Sequence, residues 1–419
     1  MKLNKIEIHN FKCFEDVNFE LHPKLNVLIG NNGTGKTSLL EALRILIGSL
    51  YLGYDKYDNK ISMPGIVKDD IKLQNIDGNL EPMIPTHVYA EGSFDAIFMP
   101  GDSDNIAWKR SIESWGGKTT TRDAKKMSVV SENIQSSVRE GLRLDIPLVS
   151  YFSTDRYKAE RRDTDVSKVG SRMRGYFNAL DTTTSKKFFL DLYFTETLDQ
   201  VQNGTTSLLL TAVNNAVKTC VNCKNLKYNL KTQELLVEYS NGEILPFDLL
   251  SDGVRCTLAL VMEIAFRCYL LNPHLGADAP LKTKGVVLID EIDLHLHPSW
   301  QTHILNDLRN AFPELQFIVS THSPLVISQI DDCNIFSLSE RKVYDFPNQN
   351  GRPFDYIIEQ MGVNFAKVTT KEKLATYFGM IDSGLGKTES AITLRNELEK
   401  LLGANHAELK RANMLLTFF

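Results

Sequence analysis

The sequence predicts an α/β fold in which a mixed β-sheet with flanking helices carries an antiparallel β subdomain, a helical lobe and a C-terminal helical region. Residues 25–28 read as a strand that runs into a Gly-rich loop and then an apolar-periodic helix from Thr37 to about Tyr51. Two later apolar runs, GVVLI before Asp290 and LQFIV before Ser320, read as buried strands. Open α/β sheets bind ligands at the carboxyl ends of such strands, so we expect one site where these three strands end.

The composition is that of a folded globular protein and excludes several other classes. Of 419 residues, 42% are hydrophobic and 24% are charged, and the six cysteines are too sparse for a disulfide framework. The net charge of -5 disfavours a protein that coats nucleic acid non-specifically. No apolar run approaches membrane-spanning length and the N-terminal residues alternate like a strand, so we expect a cytoplasmic protein without a membrane partner.

Changes of pattern along the chain divide it into two regions. A core domain is expected up to the point where strand patterns stop, and helix periodicity alone follows it. The expected ranges are a core domain over 1–345, a polar insert over 52–85, an antiparallel β subdomain over 86–160, a helical lobe over 163–225, and a C-terminal helical docking or oligomerisation region over 346–419. Within the β subdomain, HVYAEGSFDAIFM predicts a strand pair and PLVSYFS a further strand.

The Gly-rich loop at 30–37 fits the phosphate-binding pattern G-x-x-x-x-G-K-[ST] between a strand and a helix. Glycines let backbone N–H groups curl around a phosphate at a helix N-terminus, while Lys36 reaches the β and γ phosphates and Thr37 offers a hydroxyl to Mg²⁺. The residues predicted to bind nucleotide here are Asn31, Asn32, Gly33, Thr34, Gly35, Lys36, Thr37 and Ser38.

Acidic residues and a histidine follow the two later strands. The segment 286–291 ends in Asp290, which can support a Mg²⁺ shell partly through water, and Glu291, which can orient or deprotonate the attacking water. His322 follows the next apolar strand and can hydrogen-bond a γ-phosphate or that water. The alternatives are surface acids after a core strand and a structural histidine.

The order of these motifs resembles the ABC-type ATPase heads of the SMC, RecF and OLD group: the loop at 30–37, LSDGVR at 250–255, LIDEIDLHLHP at 288–298 and STHSP at 320–324. The resemblance implies an ABC-ATPase head over residues 1–345, with ATP and Mg²⁺ as cofactors. In this group the signature loop, here Ser251, Asp252 and Gly253, meets the nucleotide of the opposite subunit, which implies a homodimer or higher oligomer. Transporter ATPases usually have glycine at the position of Asp252, so a transporter role is not expected.

Two more assignments depend on the same resemblance. Lys12, in the turn NFKCF, corresponds to the residue on the adenine side of the group's nucleotide. Gln74 is the candidate for the glutamine that supports the metal, and an ordinary solvated glutamine is the alternative.

Segment spacing further resembles the ATPase subunits of bacterial antiphage systems, the Septu type first. The resemblance implies a slow regulatory ATPase that assembles with a small HNH nuclease and controls it. Only about 70 residues follow position 348 and they show no acidic metal cluster, so no nuclease activity is expected in this chain. A RecF-like DNA repair ATPase and a non-hydrolysing ATP-clamped scaffold remain alternatives. Basic residues at Arg156, Lys158, Arg161, Arg162 and in KKMS leave direct DNA binding open.

Overall fold

The fold is taken from a computed structural model that describes residues 1–55, 61–94, 105–157, 171–182, 186–352, 354–361, 368–403 and 406–416. The chain forms two compact units, Met1–Gly351 and Arg352–Phe419. Each unit has its own buried core.

Within the described residues, the strands of the first unit form four sheets. They are β1 Lys2–His9, β2 Asp16–Glu20, β3 Leu25–Ile29, β4 Leu73–Ile76, β5 Asn79–Pro82, β6 Thr86–Ser93, β7 Asn105–Ile112, β8 Leu148–Phe152, β9 Asn225–Asn229, β10 Glu234–Glu238, β11 Ile244–Pro246, β12 Gly285–Ile289, β13 Leu315–Ser320, β14 Asn334–Ser339 and β15 Lys342–Phe346. The largest sheet has the order β15-β14-β3-β13-β12-β8, and the others have the orders β2-β1-β6-β7, β11-β10-β9 and β4-β5.

The six-stranded sheet is parallel except for β15, which pairs antiparallel with β14. Every residue of β3, β8, β12 and β13 is buried, as the mainly apolar sequences of these strands favour. The strand β13 lies between β3 and β12, so the segments that follow these three strands emerge side by side at one edge.

The helices are α1 Lys36–Gly48, α2 Lys125–Arg139, α3 Lys186–Asn203, α4 Leu208–Cys220, α5 Asp252–Leu271, α6 Ala279–Lys282, α7 Pro298–Gln301, α8 Ile304–Ala311, α9 Pro324–Ile327, α10 Phe354–Gln360, α11 Val368–Asp382, α12 Glu389–Leu402 and α13 Ala407–Leu416. The longest of them, α5, is largely buried, and its two buried charges pair with each other: Arg267 donates to Glu263 at 2.7 Å. No helix among the described residues is both long and apolar enough to span a membrane.

The antiparallel β subdomain expected over 86–160 differs from the structure in two respects. The helix α2 interrupts this range, and β8 leaves it to join the six-stranded sheet parallel to β12. The physical reason is the sequence of β8, LVSYF, which is buried on both faces and therefore suits an internal parallel strand. The end of the predicted strand pair HVYAEGSFDAIFM, from residue 95 on, lies outside the described residues, as does the first part of the helical lobe, 163–170. The described helices of the lobe are α3 and α4.

The second unit is a small helical cluster. Buried side chains from α11, α12 and α13 form its core, namely Tyr377, Ile381, Ala391, Leu398, Leu409 and Ala412. Several large apolar side chains of this unit are exposed, among them Ile392, Leu401 and Met414. A core of this size stabilises a domain only weakly by itself.

Candidate functional site

The loop between β3 and α1 depends on glycine at three positions. Gly30, Gly33 and Gly35 have φ values of 147°, 79° and 108°, which side chains rarely allow. A Cβ at Gly35 would lie 2.7 Å from the sulfur of Cys13, and one at Gly30 would lie 2.6 Å from the carbonyl oxygen of Leu338. The backbone therefore forms a tight cradle at the start of α1. A Cβ at Gly33, by contrast, would meet nothing within 4 Å, so glycine is needed there for its φ value alone.

The side chain of Lys36 lies inside this cradle and hydrogen-bonds its backbone. The side chain is buried, and its ammonium donates to the carbonyl oxygens of Gly30 at 2.8 Å and Asn31 at 3.2 Å. Burial lowers the pKa of Lys36, and the negative charges of Asp290 and Glu291 partly oppose that effect. Because both present partners are neutral carbonyls, an anionic phosphate would be a stronger partner for this ammonium.

Three neighbouring strands deliver a connected set of oxygen atoms. The hydroxyl of Thr37 donates to Oδ2 of Asp290 at 2.8 Å, and the hydroxyl of Ser320 donates to Oδ1 of the same carboxylate. The backbone N–H of Glu291 donates to the Ser320 hydroxyl at 2.8 Å. Sequence reasoning missed Ser320, although its place at the end of a buried strand, two residues before His322, was a usable signal.

The two remaining predicted catalytic residues lie at the same edge. Glu291 has a φ of 46°, an unfavourable value for a residue with a side chain, and such strain is concentrated at functional sites. Partial burial lowers the pKa of His322, as does the nearby charge of Lys36, while Asp293 and Glu291 oppose the shift. A neutral imidazole can donate one hydrogen bond and accept another at neutral pH.

The signature loop begins α5. Ser251 occupies the N-cap position, is exposed, and makes no capping hydrogen bond with its hydroxyl. Asp252 is also exposed and pairs with Arg255. A Cβ at Gly253 would lie 2.5 Å from the backbone carbonyl oxygen of His295, so glycine allows the loop after Glu291 to touch the start of α5.

The other predicted residues have different surroundings. The ammonium of Lys12 pairs with Glu41 of α1 and lies 3.4 Å from Asp70. Burial raises the pKa of the Cys13 thiol, and the neighbouring Ser38 partly opposes that shift. Gln74 is exposed on the β4-β5 hairpin opposite Glu81, and no hydrogen bond recorded among the described residues joins it to Thr37 or Asp290. The assignment of Gln74 to the metal therefore stays a prediction. Of the basic cluster after β8, Lys158, Arg161 and Arg162 lie outside the described residues, as does the side chain of Arg156.

These residues fit a magnesium nucleotide. The glycine cradle and Lys36 suit a phosphate chain, and Thr37 and Asp290 supply hard oxygen ligands. No group of three or more His, Cys, Asp or Glu side chains within the described ranges could hold a metal ion by itself.

The sequence profile of the AAA domain family matches residues 5–235, which is more than half of the chain. The chain belongs to the AAA domain family. This assignment covers the phosphate-binding loop and the strands β1 to β10 up to residue 235.

Individual curated proteins are also similar to this chain. A retron Vc95 probable ATPase of Vibrio cholerae serotype O1 biovar El Tor is 27% identical over 81% of this chain and 74% of its own length. The Septu protein PtuA of Bacillus mycoides (strain KBAB4) is 26% identical over 83% of this chain and 43% of its own length. The spacing of the segments predicted the Septu type, whereas the similarity to retron ATPases was not predicted.

A solved structure of similar fold is an SMC head bound to the C-winged helix domain of ScpA. It has a TM-score of 0.50 and 15% identity, and the match covers 83% of this chain and 98% of that chain. At this identity the likeness establishes the fold alone. This member of the AAA domain family thus has the mixed α/β head fold that the motifs predict, a fold that it shares with an SMC head.

Proposed function

We propose that this chain binds and hydrolyses ATP with Mg²⁺ and thereby regulates a partner in a bacterial antiphage defence complex. The observation that carries the ATPase proposal is the hydrogen bond from Thr37 to Asp290, which joins the phosphate-binding loop to the acidic strand end. Lys36, Glu291 and His322 surround this bond. The proposed roles of all these residues follow from that arrangement.

Each side chain has a separate task in the proposed reaction. The loop glycines and Lys36 hold the phosphates, and Thr37 and Asp290 hold the metal, Asp290 partly through water. When bound, Mg²⁺ neutralises charge that develops on the phosphate oxygens. Glu291 orients the attacking water and accepts its proton, and His322 hydrogen-bonds the γ-phosphate or that water.

The exposed signature loop supports a site shared between two copies of the chain. Ser251 has an unused hydroxyl at the N-terminus of α5, where the helix dipole favours an anion. In the proposed homodimer or higher oligomer, Ser251, Asp252 and Gly253 of one copy face the nucleotide held by the other. Lys12 is proposed to lie on the adenine side of the nucleotide. In the structure its ammonium forms ion pairs with Glu41 and Asp70.

The regulatory part of the proposal comes from the relatives. A retron probable ATPase and a Septu protein are each similar in sequence to this chain over most of its length. We therefore assign residues 1–345 to the ATPase head and residues 346–419 to docking or oligomerisation, for which the exposed Ile392, Leu401 and Met414 are suited. The proposed partner is a separate HNH nuclease in the cytoplasm. We propose that the complex of the two proteins contacts DNA.

The ATPase proposal is tested by three variants of the purified chain. Lys36→Ala should abolish ATP binding in calorimetry, because the loop loses its cation. Glu291→Gln should retain binding but lower the hydrolysis rate by about 100-fold or more, since the attacking water loses its base. Ser251→Arg should also retain binding yet block hydrolysis, because it obstructs only the shared face.

The outcomes separate the alternatives. Full hydrolysis by Ser251→Arg would contradict the shared site, and phosphate release equal to the blank in the parent and in Glu291→Gln would favour an ATP-clamped scaffold. Co-expression with the neighbouring reading frames, followed by mass measurement with and without ATP, tests the partner. Recovery of gapped DNA without any nuclease would favour the repair ATPase instead.

A further inference from the structure

One hydroxyl group connects the two acidic residues of the site. Ser320 is the last residue of β13 and is fully buried. Its oxygen donates to Oδ1 of Asp290 and accepts the backbone N–H of Glu291 at 2.8 Å. The other carboxylate oxygen of Asp290 accepts from Thr37, so each oxygen of this carboxylate is held by one hydroxyl.

These contacts explain why a polar residue ends β13 directly after apolar residues. The two residues before Ser320, Ile318 and Val319, are buried aliphatics, and a buried hydroxyl costs stability unless it is hydrogen-bonded. Both bonds recorded for the Ser320 hydroxyl go to the acidic pair of the neighbouring strand end. The hydroxyl is therefore directed at the acidic pair of the site, to the side chain of one residue and the backbone of the other.

The second bond acts on the strained backbone of Glu291. At a φ of 46° this residue needs a local restraint, because the conformation is unfavourable for a side chain. The bond from its N–H to Ser320 supplies one such restraint. Restraint of the peptide between Asp290 and Glu291 fixes both side chains relative to the phosphate-binding loop.

We propose that Ser320 is a positioning residue that sets Asp290 for the metal and Glu291 for the water. The inference depends on the proposed ATPase function and adds a residue that acts through the two acids. Partners of metal ligands typically change metal affinity or activity by about 10- to 100-fold when they are removed. Ser320 should therefore affect Mg²⁺ affinity and turnover, while nucleotide binding without metal depends on the separate glycine cradle.

The test compares Ser320→Ala with a matched control, Ser150→Ala. Ser150 is likewise a fully buried serine of the same sheet, on β8, but its hydroxyl donates to the carbonyl oxygen of Ala179 at 3.3 Å. Calorimetry with ATP in EDTA, and then with a non-hydrolysable analogue over a Mg²⁺ series, separates nucleotide affinity from metal affinity. Phosphate release gives kcat and KM.

For Ser320→Ala we expect unchanged affinity in EDTA, a half-saturating Mg²⁺ concentration raised about 10-fold, and kcat lowered about 10- to 100-fold with little change in KM. Ser150→Ala should match the parent in all of these. Ser320→Thr keeps the hydroxyl and should retain the parental Mg²⁺ requirement, and Ser320→Cys, a weaker donor of similar shape, should fall between the two. These two variants keep the test valid if the alanine variant unfolds.

Parental Mg²⁺ dependence and kcat in a folded Ser320→Ala would overturn the positioning role, as would equal effects in Ser150→Ala. A parent chain that binds no ATP at any Mg²⁺ concentration contradicts the ATPase proposal itself. The two failures are thus distinguishable in one series of measurements.

Discussion

Because Gly253 lies against the backbone of His295, we predict that replacing it by alanine destabilises the protein, although alanine usually stabilises a helix relative to glycine. Replacing a helix glycine by alanine normally stabilises by about 1 kcal/mol. In Gly253→Ala, however, the new Cβ would start 2.5 Å from a backbone carbonyl oxygen, and ordinary van der Waals contact begins at 3.4 Å. The obstacle is backbone and cannot rotate away, so α5 and the loop after Glu291 must separate by nearly an ångström.

The expected magnitudes follow from these opposing effects. Overpacking costs about 1–3 kcal/mol, so after the helix preference is subtracted the variant should lose up to about 2 kcal/mol of unfolding free energy. A misplacement of this size in a catalytic geometry can lower the rate by about 100-fold. We therefore expect slower ATP hydrolysis with unchanged ATP binding, because Lys36 and its loop are not displaced.

The assay is thermal or urea unfolding together with steady-state phosphate release. Gly379→Ala in α11 is the control, because a Cβ there meets nothing within 4 Å. The control should unfold at the same or a higher temperature and hydrolyse ATP at the parental rate. If Gly253→Ala behaves like the control in both measurements, the reasoning from close approach is wrong.

Two further predictions concern charge. Arg267→Leu leaves Glu263 buried without its cation and should lower the unfolding free energy by about 3–5 kcal/mol in urea titration, whereas a loss below about 1 kcal/mol would contradict a buried ion pair. Burial, and then the charges of His9 and Lys109, lower the pKa of His87 below its usual 6.5. The unfolded chain therefore binds more protons, stability rises with pH through the window below 6.5, and His87→Asn should flatten the dependence of Tm on pH there.

The central strands and the phosphate-binding loop were predictable because their signals are local. Glycine spacing with Lys36 identifies the loop, and the apolar runs of β12 and β13 identify strands buried on both faces. By contrast, the place of β8 beside β12 depends on pairing across more than a hundred residues, which periodicity cannot specify. For this reason β8 was predicted in the antiparallel subdomain, whereas it lies in the six-stranded sheet.

The helix α2 was missed for a different reason. Its apolar residues Met127, Val130 and Ile134 have helical spacing, but serines and charged residues separate them and no capping side chain marks the start. In the candidate site, the order of motifs indicated Asp290 and His322. The roles of Ser320 and Gly253 could not be predicted in this way, because they depend on contacts with residues that are distant in sequence. These contacts are the hydrogen bond of Ser320 with Glu291 and the close approach of Gly253 to His295.

The position of β3 has a consequence for how the chain can be made. Its two neighbours in the sheet are β13 and β14, which leave the ribosome nearly three hundred residues later. During synthesis the backbone N–H and C=O groups on both edges of β3 therefore stay without their sheet partners until β13 and β14 are made. An unpaired strand of this kind is prone to aggregation, and chaperones bind such segments. A nascent chain that stops before Leu315 would carry the phosphate-binding loop on a strand with neither partner.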